Sequence, residues 1–217
     1  MPSIQIASQT LPVANIFCVA RNYLAHAAEM GSSIGPEPVV FLKPTGALSY
    51  PGQNIVLPAW SSDVHHEAEL VVVIGKDGND IAAADAWDYV AGYALGLDLT
   101  ARDVQAQAKK SGSPWTLSKG FRGAAVLTDF IAADAISPPG VQFSLTVNGE
   151  LRQQADMHQM AFDVPTLIAW ISSRFGLRRG DLIYTGTPEG VGPIHAGDEL
   201  RLQLPGLIDQ RYTVRAA

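Results

Sequence analysis

Cysteine is nearly missing from this chain: Cys18 is the only one in 217 residues. A lone thiol allows no intramolecular disulfide, and its setting in Ile16-Phe17-Cys18-Val19 suits a small buried side chain better than a nucleophile. Clustered basic charge is missing too. The 15 lysines and arginines are scattered through a chain of net charge -6, so no block exists to neutralise a phosphate backbone, and nucleic acid is not an expected partner. No window approaches the roughly 20 apolar residues of a membrane-spanning helix, and the start lacks the basic and apolar stretches of a secretory leader. These absences lead to the expectation of a soluble, cytoplasmic protein with no membrane partner. Repeats and linker-like runs are absent as well, and a 47% hydrophobic content is enough for one sizeable core. One domain over residues 1–217 is expected, with residues 1–20 as a short lead-in strand.

What is present reads mostly as strand. Runs rich in Val, Ile, Leu, Phe and Tyr cover 14–20, 38–42, 66–75, 89–98, 141–148, 181–185, 198–204 and 208–215. In "FSLTVNGELRQ", Asn148-Gly149 supplies the positive φ angles of a tight hairpin turn. Helical signals are fewer: 22–30, 100–110, and 164–175, where Asp163 can cap and Pro165 sits in the first turn. Strands outnumber helices without alternating with them, which predicts a β-rich α+β fold.

The segment "SSDVHHEAELVVVIG" carries the strongest contradiction. Glu67 and Glu69 stand at i and i+2, on one face of a strand and roughly 7 Å apart, at the mouth of an apolar run. His65 shares that face. Two like charges losing hydration there need something positive between them, and Asp98 ends another apolar run, "YVAGYALGLDLT". Three carboxylates form an all-oxygen set that favours Mg2+ or Mn2+ over Zn2+. The alternative is a solvated strand face with Asp98 capping the next helix. His65 and His66 lack the repeat that marks a zinc site and read equally as loop residues.

Three further stretches bear polar groups. "ARNYLAHAAEMG" puts His26 and Glu29 three apart, either a general base with its orienting carboxylate or an exposed helical pair. "WTLSKGF" holds Lys119, either a cation for a carboxylate or oxyanion or a surface lysine. "YTGTPEGVG" offers backbone N–H groups and the hydroxyls of Thr185 and Thr187 to an anionic ligand.

In order and spacing, these stretches resemble the fumarylacetoacetate hydrolase family, in particular its short acylpyruvate hydrolase and oxaloacetate decarboxylase members. The resemblance spans almost the whole chain, from Arg21-Asn22-Tyr23 through "PVVFLKP", "HHEAELVVVIG", "DYVAGYALGLDLTARDVQ", "PWTLSKGF" and "VNGELRQ" to "GDLIYTGTPEGVGP". It implies a mixed, bent β-roll with a few short helices, usually a homodimer. It implies that Glu67, Glu69 and Asp98 hold one Mg2+ or Mn2+ per subunit, that His26 and Glu29 activate water, and that Lys119 is the cation beside the substrate. Arg21, Arg102, Gln105 and Thr187 match positions lining the pocket. The implied activity is cleavage of a C–C bond in an acylpyruvate such as fumarylpyruvate or acetylpyruvate. The alternative is decarboxylation of oxaloacetate, or a decarboxylase or isomerase of a 2-oxo dioic acid in aromatic catabolism. Either way the partner is a small 2-oxo acid. The extra N-terminal domain of larger relatives is expected to be absent. Ala20 and Gly120 depart from the pattern, standing where many relatives have Gly and a larger polar residue. Arg152 and His158, on segments expected to be loops, read either as selectors of the substrate's far end or as surface residues.

Overall fold

A computed structural model describes residues 2–29, 31–136 and 140–217. Its centre is an eight-stranded mixed sheet, in which Val39–Lys43, Ile16–Ala20, Leu182–Tyr184, Ala68–Ile74, Val90–Asp98, Ala125–Leu127 and Leu48–Ser49 follow one another and Ile131–Ala132 adds to Val90–Asp98. Leu182–Tyr184 runs parallel to Ile16–Ala20, and Ala125–Leu127 parallel to Leu48–Ser49; the other neighbours are antiparallel. Ala68–Ile74 is buried at every position, which explains its unbroken apolar sequence: a strand covered on both faces has no polar side to alternate with. A five-stranded sheet (Glu150–Asp156, Gln142–Val147, Glu199–Leu204, Ile208–Arg215, Ile55–Val56) shares the same core. Four α-helices lie around the sheets among the described residues: α1 (Leu24–Glu29), α2 (Arg102–Ser111), α3 (Thr116–Lys119) and α4 (Val164–Phe175). None is long and apolar enough to cross a membrane.

The local chemistry read from sequence is visible in the turns and caps. Asn148 and Gly149 have φ of 53° and 82° and join the two antiparallel strands they were expected to join. The Asp163 side chain accepts the Thr166 N–H at 2.9 Å, with Pro165 in the first turn of α4. Cys18 is fully buried, and burial pushes its thiol up.

Four expectations need correction. Residues 1–20 are more than a lead-in strand: Ser3–Ile6 and Gln9–Pro12 form their own hairpin before Ile16–Ala20 enters the central sheet. The run 66–75 is two strands, because Val64–His66 pairs with Thr100–Ala101 and Gly192–Pro193 in a small separate sheet, and the chain changes sheets at Glu67. The helix expected over 100–110 starts later, at Arg102, since Thr100 and Ala101 are engaged in that small sheet. The helix expected over 22–30 begins at Leu24: the Asn22 side chain instead donates to Phe162 O and Thr185 O and accepts from Phe162 N–H. Its expected end, Met30, lies outside the described residues.

Gly96 shows how tightly the central sheet is packed. A Cβ there would stand 2.6 Å from Tyr184 Cε1, 2.8 Å from Val126 O and 2.8 Å from Val71 Cγ2. The backbone oxygen cannot swing away. Gly96→Ala should therefore destabilise the protein by about 1–3 kcal/mol, read as a lowered denaturant midpoint; an unchanged midpoint would show the sheet to be looser than this.

Candidate active site

Glu67, Glu69 and Asp98 converge in the core. All three are buried, and one carboxylate oxygen of each lies within 4.8 Å of the others. Glu69 belongs to Ala68–Ile74 and Asp98 ends Val90–Asp98, its antiparallel neighbour. Glu67 sits at the sheet change, where its carbonyl accepts the Asp98 N–H at 2.9 Å. Asp98 does not cap α2; Ala101 occupies the cap position without a side-chain bond. The solvated-face and capping alternatives are thus overturned.

Burying three carboxylates requires compensation, and most of it comes from three cations. Lys119 Nζ donates to Glu67 Oε2 and Asp98 Oδ2, each at 2.7 Å. Arg102 Nη2 donates to Glu67 Oε1 at 2.6 Å, while its Nη1 donates to Gln105 Oε1 at 2.8 Å. Lys43 Nζ lies 2.6 Å from Asp98 Oδ1 and donates to the carbonyls of Leu99 and Lys119. Burial opposes the Glu67 charge, yet Lys119 and Arg102 outweigh it and hold that carboxyl below the usual carboxylate range. Burial likewise opposes the Lys119 charge, and Asp98 and Glu67 reverse the balance, raising its ammonium above the usual lysine range. The surface-lysine reading of Lys119 is overturned: it is 3% exposed.

Glu69 is treated differently. Among the described residues no lysine or arginine reaches it; Oε2 accepts the Gly186 N–H at 2.7 Å. Burial, then Asp98 and Glu67, push its carboxyl well above the ordinary range. A cation beside it would reverse that direction. Asp98 Oδ1 is also unsatisfied: Lys43 is close but off the hydrogen-bonding angle, and the oxygen is buried without a hydrogen-bond partner. A buried carboxyl with no cation beside it, an Asp98 oxygen that has an ion pair but no hydrogen bond, and an all-oxygen donor set fit a hard divalent cation.

The trio opens into a cavity of about 160 Å³. Its lining includes Arg21, His26, Arg102, Gln105, Lys119 and Thr187, so the structure gathers the expected residues in one place. His26 Nδ1 is 3.3 Å from Glu29 Oε2, and the Gly190 N–H holds the same carboxylate at 3.2–3.3 Å. Glu29 itself stands at the rim and is not among the lining residues. The pair is not an exposed helical pair, since His26 is buried.

Other expectations shift. Thr185 Oγ1 donates to Leu70 O and Thr187 Oγ1 to Ala68 O, so the hydroxyls pin the glycine-rich turn to the strand bearing Glu69, and the Gly186 N–H serves Glu69 rather than an outside anion. His65 pairs with Asp63 at 2.9 Å and does not line the cavity. His66 is buried against Gln153 Oε1 at 2.8 Å. Arg152 and His158 are exposed and away from the cavity; the expected loop 152–162 begins as the strand Glu150–Asp156.

Lys43, Phe41, Lys109, Trp115 and Gln153 were not singled out from sequence. Gln153 accepts from Ala68 N–H and donates to Thr187 Oγ1 and Pro188 O, tying the two segments that carry Glu69 and Thr187. No local pattern marks it. Lys43 had a signal, a lysine closing the apolar run "VVFL", but two of those apolar residues are exposed and two half-buried, and the lysine is the one fully buried position of the strand.

Residues 15–215 match the model of the fumarylacetoacetate (FAA) hydrolase C-terminal family. The chain belongs to this family. It is 46% identical over 202 residues to a mitochondrial oxaloacetate tautomerase of Mus musculus, covering 93% of this chain and 91% of that one. It is 47% identical over 194 residues to a mitochondrial oxaloacetate decarboxylase of Dictyostelium discoideum, covering 88% and 89%. Among solved structures it superposes with a TM-score of 0.94 and 38% identity on a fumarylpyruvate hydrolase from Pseudomonas aeruginosa in complex with Mn2+ and pyruvate, over 100% of this chain and 96% of that one. The β-rich, bent-roll fold expected from sequence is the fold of these FAA hydrolase neighbours.

The raised Glu69 carboxyl makes a pH prediction. Protons compete with a divalent cation for a carboxyl raised in this way, so apparent Mn2+ affinity should fall as pH drops, with proton release on binding. Calorimetry in buffers of different ionisation enthalpy reads this directly; buffer-independent heats would contradict it.

Proposed function

We propose that this FAA hydrolase family member is a divalent-metal-dependent hydrolase that cleaves an acylpyruvate, such as fumarylpyruvate, to pyruvate and a carboxylic acid, with residues 1–217 acting as one catalytic domain. The observation that carries this reading is the joint opening of the carboxylate trio and of His26, backed by Glu29, onto one cavity. Glu67, Glu69 and Asp98 would hold one Mg2+ or Mn2+ per subunit, which supplies Lewis-acid polarisation of a 2-oxo acid. A homodimer belongs to the same reading by family resemblance.

The chain's own residues supply the rest. With the Nδ1–H directed at Glu29, His26 keeps Nε2 as a base, and Glu29, fastened by Gly190 N–H, fixes the ring. Nε2 takes a proton from water as the oxygen adds to the distal carbonyl. Collapse breaks the C–C bond, the electron pair passes to the pyruvate fragment, and a proton returns to C3. Lys119 holds positive charge beside the carboxylates, where negative charge develops on the substrate. Arg102, oriented by Gln105 and Glu67, is assigned to binding the substrate's oxygens, and Thr187, whose hydroxyl is held by Ala68 and Gln153, to shaping the pocket beside it.

A second reading is supported by the names of the curated relatives: oxaloacetate tautomerisation or decarboxylation, which also passes through charge at C3 but needs no attacking water. Comparing kcat/KM for acetylpyruvate, fumarylpyruvate and oxaloacetate with Mg2+ separates the two. Glu69→Ala should abolish turnover of all three. His26→Ala should lower hydrolysis by roughly 10²–10⁴-fold and decarboxylation far less; undiminished acylpyruvate hydrolysis in that variant would refute the role of His26.

A further inference from the structure

Helix α2 presents more to the cavity than the proposed chemistry uses. Arg102, Gln105 and Lys109 stand at i, i+3 and i+7, on one face, and all three line the cavity. Arg102 reaches down to Glu67, while Lys109 stands two turns away, about 10 Å along the helix axis. No carboxylate lies within ion-pair distance of Lys109 among the described residues; its Nζ sits 5.5 Å from the centroid of the Trp115 ring.

Arg21 also lines the cavity, from the residue that follows the strand Ile16–Ala20. Its φ of 57° is left-handed, a conformation that costs a non-glycine residue on the order of 1 kcal/mol. Its guanidinium likewise meets no carboxylate among the described residues. Two uncompensated cations on one cavity are unusual in a chain of net charge -6. Burial of its stem, then repulsion by Arg102, Lys119 and Arg21, lower the Lys109 ammonium from the usual lysine range. A bound anion would relieve that repulsion.

The floor between the two ends is apolar. Phe41 and Trp115, both on the cavity wall, meet edge to face with centroids 5.9 Å apart. Lys119 Nζ lies over the Phe41 ring and Lys109 Nζ over the Trp115 ring, so the wall runs from the carboxylates past two aromatic rings to Lys109, with Arg21 elsewhere in the lining. That sequence of surfaces matches a small diacid whose carbon chain lies between two anionic ends.

We propose that Lys109 anchors a distal anion subsite that selects 2-oxo acids carrying a second carboxylate at the far end. This rests on the reading of the cavity as a 2-oxo acid site. Lys109 acts in specificity and not in the chemical step, and Arg21 shares the charge with it from its own position in the lining.

Lys109→Gln keeps most of the side chain and removes the charge. Its kcat/KM for fumarylpyruvate should fall roughly tenfold relative to acetylpyruvate, mainly through KM, with Lys109→Arg restoring the ratio. An equal loss on both substrates, or no change in the ratio, would overturn the subsite. A binding measurement keeps this separate from the proposed activity: calorimetry of the Mg2+-loaded protein with 2-oxoglutarate and with 2-oxobutyrate. If the wild type turns over no 2-oxo acid, the proposed activity falls, and the subsite stands only if Lys109→Gln weakens 2-oxoglutarate relative to 2-oxobutyrate. An unchanged ratio of the two Kd values overturns it.

Discussion

Three carboxylates buried within a few ångströms of one another are the constraint on which the rest of this structure turns. Each costs several kcal/mol to desolvate, and together they repel. Lys119, Arg102 and Lys43 offset two of them from a short helix, a longer helix and an edge strand. Glu69, the third, meets only a backbone N–H. The three cations equal the three carboxylates in number but leave Glu69 without one, and a buried all-oxygen set with one carboxylate unpaired fits a metal centre better than a structural ion-pair cluster.

The fold is arranged to hold that imbalance still. Glu69 and Asp98 come from adjacent antiparallel strands, so their backbone spacing is set by ladder hydrogen bonds. Glu67 stands where the chain leaves one sheet for another, which frees its side chain from the alternation of a continuous strand. Thr185, Thr187 and Gln153 then bind the glycine-rich turn to Ala68–Ile74. Sites supported by such rigid neighbours keep their geometry when a ligand binds. His26 is oriented more lightly, by the exposed carboxylate of Glu29, which suits the proton exchange with water proposed for it.

Legibility followed the range of the interaction. The Glu67–Glu69 pair, the His26–Glu29 pair, the Asn148-Gly149 turn and the Asp163 cap each lie within a few residues, so spacing exposes them. Lys119 and Asp98 were visible as charges in costly settings, without their partners. Lys43 escaped because its strand departs from the usual pattern: on this edge strand Val39 and Leu42 are exposed, Val40 and Phe41 half-buried, and the lysine is the position that turns in to meet Asp98. Gln153 escaped because every bond it makes is long-range, to residues 34 to 87 positions away. The Thr185 hydroxyl and the Gly186 N–H were misassigned for the same reason, since their acceptors sit on a strand more than a hundred residues earlier.

From sequence alone came the β-rich class, the identity of the acidic trio and the His–Glu pair, and the family they point to. The two pairs depend on residue type and short spacing, which backbone periodicity converts into shared faces, while the place of Asp98 in the trio came with the family resemblance, carried by the order of motifs along the whole chain. Tertiary structure decided which charges meet which. It showed that Glu67 lies at a sheet change, that Glu69 lacks a cation while Glu67 and Asp98 do not, and that α2 carries a lysine to the outer end of the cavity. Charge pairing depends on distance in space, and distance in space is decided by the packing of segments far apart in the chain.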